Sequence, residues 1–136
     1  MSTIYDSPHA FAATTASFAA EVLERSATVP VVVDFWAPWC GPCRVLGPAL
    51  LKAVDALGGR VLLATINTDE EPSLAARFQI SGIPAVKAFR DGKVVDEFVG
   101  VRDARALAAF LAKLAPSTEE TTLTEAARAL AADQPT

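Results

Sequence analysis

The chain has 136 residues, 51% of them hydrophobic and 21% charged, the balance of one folded domain with a short appendage rather than of a disordered polymer. A net charge of −4 argues against nucleic acid or an anionic membrane surface as partner, and no apolar run reaches the roughly 20 residues of a transmembrane helix. Residues 1–6 lack the basic stretch and apolar core of a secretory signal, which leaves a soluble, cytoplasmic protein as the expectation.

Taken in chain order, a short strand near Phe11 precedes a helix capped by Thr14 or Thr15. Phe18, Val22 and Leu23 form the helix's apolar stripe, and it runs to about Ser26. Residues 29–36 are dense in β-branched and aromatic side chains and read as a buried central strand. A loop over 37–41 leads into a helix from Pro42 with Val45, Leu46, Ala49, Leu50, Ala53, Val54 and Leu57 inward, stopping at Gly58-Gly59. Pro48 should bend that helix, because it has no N–H to offer the carbonyl of Arg44.

Residues 61–66 form the next buried strand, and 72–79 a short helix with Leu74, Ala75 and Phe78 inward. Strands over 85–89 and 94–99 are joined by Arg90-Asp91-Gly92-Lys93, whose Asp-Gly pair signals a hairpin. Asp103 then begins a helix through Leu107, Phe110, Leu111 and Leu114. This alternation predicts an α/β fold, a mixed sheet with helices on both faces. The domain spans 1–115. Residues 116–136 read as a polar linker and a short amphipathic helix with Leu123, Ala126, Ala127 and Leu130 on one side, the possible start of a helical repeat.

The only two cysteines stand in Trp39-Cys40-Gly41-Pro42-Cys43, so no disulfide framework exists. A single-chain zinc site would need two more strong ligands, and the lone histidine, His9, is one short; neither metal nor cofactor is implied. Two intervening residues bring both sulfurs to one helix end, with Gly41 and Pro42 making the turn and Pro42 suited to the first helical position. Cys40 then meets the unpaired N–H groups and positive dipole end of the helix, which favour a thiolate. That makes Cys40 the nucleophile. Cys43, one turn further in and less exposed, is the resolving thiol, the division of labour that disulfide exchange requires.

The run Val33-Asp34-Phe35-Trp36-Ala37-Pro38-Trp39-Cys40-Gly41-Pro42-Cys43-Arg44 resembles the active-site block of the thioredoxin family. Gly82-Ile83-Pro84-Ala85-Val86 resembles that family's cis-proline loop, and Asp91-Gly92-Lys93 with Val99-Gly100 its final hairpin. The resemblance implies a sheet flanked by four helices and reduction of protein disulfides by dithiol exchange. The partners it implies are disulfide-containing clients and a reductase-like electron donor. It makes Pro84 a cis-proline at the base of a substrate groove facing Cys40. It makes Trp39, Gly41, Pro42, Ile83, Val99, Gly100 and Val101 the surface that accepts an extended substrate strand, and Trp36 packing.

Asp34 is a carboxylate in an apolar run, where an unpaired charge is expensive. The resemblance places it beneath the cysteine pair, helping to deprotonate the resolving thiol. Two positions depart from the family pattern: Thr65 stands where a lysine often accompanies the carboxylate, and Lys87 stands on a strand where an apolar residue is usual. Lys87 is expected to snorkel from the face opposite Asp34, and Asp34, without a cation, to have a raised pKa.

A second resemblance concerns Glu21-Val22-Leu23-Glu24-Arg25-Ser26, Ile83-Pro84-Ala85-Val86 and the tail after Pro116, which look like the N-terminal domain of chaperedoxins. It implies a holdase that binds unfolding clients, protects their cysteines and works with chaperones. One tail helix is too little for a repeat solenoid.

Overall fold

The computed structural model describes residues 7–115. Five strands form one sheet in the order β1-β3-β2-β4-β5: β1 (Ala10–Ala12), β2 (Val31–Trp36), β3 (Leu62–Asn67), β4 (Ala85–Arg90) and β5 (Lys93–Val99). The strands β1, β3 and β2 run parallel, whereas β4 lies antiparallel to β2 and β5 antiparallel to β4. The helices are α1 (Ala19–Glu24), α2 (Gly41–Asp55), α3 (Pro72–Arg77) and α4 (Ala104–Ala112). The sheet is therefore mixed and covered on both sides, the expected α/β architecture.

Period-two alternation along β2 sorts the core into two layers. Val32 packs with Leu46, Leu50 and Val54 of α2 and with Leu107 and Leu111 of α4. Val31, Val33 and Phe35 point the other way, against Phe18, Val22 and Leu74 around α1 and α3. In that second layer Phe78 lies 5.3 Å from Phe18 and 5.5 Å from Phe89, the latter edge-on, an arrangement that aromatic quadrupoles favour. Between β4 and β5, Asp91 and Gly92 have φ of 53° and 77°, the two positive values that a tight hairpin turn demands.

The structure amends three details. The helix after Thr14 is wound with wide π turns and ends in a 3₁₀ turn at Arg25–Ala27. Its buried residues Phe18, Val22 and Ser26 are spaced by four, which suits an α and a π helix almost equally, so the apolar pattern cannot tell them apart. Reciprocal bonds start the segment, Ser17 N to Thr14 Oγ1 at 3.1 Å and Thr14 N to Ser17 Oγ at 2.9 Å. Second, β2 starts at Val31 rather than 29, after Pro30, which has no N–H for a ladder. Third, Val45 is 61% exposed instead of inward. The buried face of α2 is Cys43, Leu46, Leu50 and Val54, and Val45 stands about 100° away from Leu46 around the helix.

The tail expected over 116–136 lies outside the described residues. Among the described residues no helix is long and apolar enough to cross a membrane.

Candidate active site

Strand β2 ends at Trp36, and the loop that follows delivers the cysteines to the start of α2. Cys40 is the N-cap, in extended conformation, and its Sγ accepts the backbone N–H of Cys43 at 3.2 Å. A free helix N–H is therefore aimed at this sulfur, joined by the dipole of a 15-residue helix. The two cysteines form a disulfide, with Cα atoms 5.3 Å apart. Gly41 does not sit in the turn but opens the helix, with Pro42 next to it. A Cβ on Gly41 would meet nothing within 4 Å, so available space does not require glycine there.

Cys40 and Cys43 are 4% and 3% exposed, so the expected difference in accessibility nearly vanishes in the disulfide form. Ala37 is buried with them, and Trp36 and Ile83 pack against the cluster. The indole of Trp39, by contrast, is 68% exposed. Its Nε1 donates to Asp69, at 3.1 Å to Oδ2 and 3.3 Å to Oδ1. Asp69 is a contact the sequence reading missed. The available signal was Asn67 two residues earlier, whose Oδ1 accepts the Asp69 N–H at 2.9 Å and so shapes the loop. On the other side of the motif, Arg44 Nη2 donates to the carbonyl of Pro38 at 2.7 Å.

The loop before β4 links the cysteines to the end of β5. The Ile83–Pro84 bond is cis and Pro84 is buried. Ile83 touches the cysteine cluster, while the carbonyl of Pro84 accepts the N–H of Gly100 at 2.8 Å. A Cβ on Gly82 would stand 3.5 Å from Val99 Cγ1. Gly100 has φ of 94°, a value that favours glycine, and it carries the chain out of β5 at this point. Val99 and Val101 on either side of it are exposed. The buried Pro84 is thus bonded to Gly100 between the exposed Val99 and Val101, while Ile83 before it packs against the disulfide.

Asp34 is fully buried, and neither carboxylate oxygen has a hydrogen-bond partner among the described residues. Its strand neighbours are Thr65 on β3 and Val86 on β4, so no cation flanks it on the sheet. By alternation it shares the face of Val32, the layer into which α2 points Leu46 and Leu50. Burial alone pushes its pKa up to about 7. Lys87 lies on the opposite face of β4 from Val86 and pairs with Glu97 of β5. Among the described residues no group of three or more potential ligands could hold a metal ion.

The arrangement combines a disulfide at a helix start, a buried acid on the strand that leads to it, and Ile83 packed against the cysteines. Comparison with known proteins agrees. The thioredoxin family model matches residues 9–113. Thioredoxin 1 of Synechococcus elongatus is 47% identical over 91 residues, which cover 67% of this chain and 83% of that protein. The thioredoxin of a Synechocystis species is 42% identical over 98 residues, or 72% of this chain and 90% of the relative. Mitochondrial thioredoxin of Bos taurus is 49% identical over 85 residues, 62% of this chain and 51% of the relative, so the chain spans about half the length of that protein. The chain belongs to the thioredoxin family.

Proposed function

We propose that this chain is a thiol–disulfide oxidoreductase that reduces disulfides in client proteins. The carrying observation is the Cys43 N–H directed at Cys40 Sγ at the start of α2, which stabilises a thiolate on Cys40 once the pair is reduced. That thiolate attacks one sulfur of the client disulfide, forming a mixed disulfide and expelling the other sulfur as a thiolate. Cys43 gives up its proton, attacks Cys40 Sγ and expels the second client thiolate. The client gains two electrons, the Cys40–Cys43 pair loses two, and protons from the dithiol and solvent complete the client thiols.

Asp34 is the acceptor for the Cys43 proton. A carboxyl whose pKa is pushed up to about 7 holds and releases a proton near neutrality, as the resolving step needs. Trp39, Gly41, Pro42, Ile83, Pro84, Val99, Gly100 and Val101 receive the client strand. A reductase-like donor returns the pair to its dithiol, in a reducing compartment for which the cytoplasm is our assignment. The chaperedoxin-type holdase with chaperone partners comes second, because the family model and the relatives support a thioredoxin and nothing in them points to a holdase, while its distinguishing tail lies beyond Ala115, outside the described residues. A chain ending at Ala115 that still reduces disulfides but no longer suppresses client aggregation would favour it.

Substitution of each cysteine tests the order of attack. Cys43→Ser should accumulate client proteins disulfide-bonded to Cys40, read by mass spectrometry, and Cys40→Ser should trap none. Trapping mainly through Cys43 in Cys40→Ser would reverse the assignment.

A further inference from the structure

The end of β5 carries a feature that the cysteine chemistry does not use. Between Val99, the last residue of β5, and Asp103, whose side chain caps α4 by accepting the Ala106 N–H at 2.8 Å, the chain runs through only three residues. Gly100 is tied down through its N–H to the Pro84 carbonyl. The carbonyls of Val99 and Val101 both receive a hydrogen bond from Arg102, each from Nη1 at 3.2 Å. The guanidinium stacks over the Phe98 ring at 4.8 Å, and Phe98 packs edge-on against Phe110 of α4 at 4.9 Å. One side chain therefore ties the exposed valines to the packed contact between β5 and α4.

We infer that Arg102 is a positioning residue for client binding: it holds the backbone of residues 99–101 in the shape that meets an extended client strand. The inference rests on the proposed reductase function, since it concerns the surface beside the disulfide. A short exposed loop that is ordered before binding spares the complex the entropy of ordering it. With both carbonyls already bonded to Arg102, the valine side chains face the client while their own acceptors stay satisfied. Arg102 has no role in the exchange itself. Its loss should raise KM for a protein disulfide and leave kcat alone. Because its acceptors are neutral carbonyls, the effect should also survive high salt, unlike attraction between its charge and an acidic client.

The test uses the full chain, insulin as the protein disulfide and dithiothreitol as reductant. Arg102→Met keeps a long unbranched side chain and removes the guanidinium from both the carbonyls and the Phe98 ring; Arg102→Lys keeps a cationic donor. Arg102→Met should raise KM for insulin about five- to tenfold, the cost of ordering about one backbone residue, with kcat within about twofold. Arg102→Lys should recover most of the loss, and the KM penalty of Arg102→Met should persist in about 0.5 M salt. An unchanged KM in Arg102→Met, a matching fall in kcat, or a penalty abolished by salt would each overturn the inference. If the wild-type chain itself fails to reduce insulin, the reductase reading fails, which is a separate outcome.

Discussion

Two charged residues of the central sheet, Asp34 on β2 and Lys87 on β4, meet opposite fates. Lys87 stands on the α1/α3 side of the sheet and reaches Glu97 on the neighbouring strand, with its side chain still 15% exposed. Its charge is answered by a partner in register, which is a structural solution. Asp34 points into the α2/α4 layer, has Thr65 and Val86 as neighbours, and finds no partner for either oxygen among the described residues. Folding opposes its ionisation, and the acid responds by holding its proton up to about pH 7. A charge that the fold satisfies stabilises modestly; one it leaves unsatisfied is kept at a cost.

Substitutions that exchange these two situations should separate them, and Asp34→Asn should have the largest effect. It removes the proposed proton acceptor, so release of a mixed disulfide by Cys43 should slow by roughly tenfold or more, measured by stopped-flow mixing with an oxidised client. It should also stabilise the chain at neutral and alkaline pH. Release at the wild-type rate would place the Cys43 proton elsewhere.

Thr65→Lys supplies the missing cation from β3. If its ammonium reaches the carboxylate, the Asp34 midpoint should fall from about 7 toward the ordinary carboxylate range, followed by NMR of the carboxyl carbon. An unmoved midpoint would mean that the register neighbour cannot reach the acid. Glu97→Gln, which breaks the satisfied pair, should cost only about 0.2–1 kcal/mol in denaturant unfolding, because the pair is partly exposed. A loss of several kcal/mol would show Lys87 to be as dependent on its partner as a fully buried charge.

Much of this contrast was legible in the sequence. The run Val31-Val32-Val33-Asp34-Phe35 announces a buried strand with one carboxylate in it, and alternation from Val86 puts Lys87 on the far face. The Asp91-Gly92 turn and the Asp103 cap were legible because single residues with fixed backbone demands mark them. Properties set by distant chain segments were not. Val45 looks like one more apolar residue of a stripe, and only the packing of α2 decides that it faces solvent. The bond from Trp39 to Asp69 joins residues 30 apart through a loop whose shape is local to neither. The π winding of α1 leaves no mark on an apolar pattern spaced by four.

If Asp34 is a buried acid without a partner, the stability of the chain must depend on pH through it. The native state holds the Asp34 proton more tightly than the unfolded chain, so stability contributed by this group falls as pH rises from about 3.8 to about 7 and is flat above. Asn at the same position does not titrate. Denaturant unfolding of the wild type and of Asp34→Asn from pH 4 to 9 should show the variant gaining on the wild type by on the order of 4 kcal/mol up to about pH 7, then a constant difference. A difference independent of pH across that range would mean that Asp34 is solvated or paired in the native state, not a buried acid without a partner.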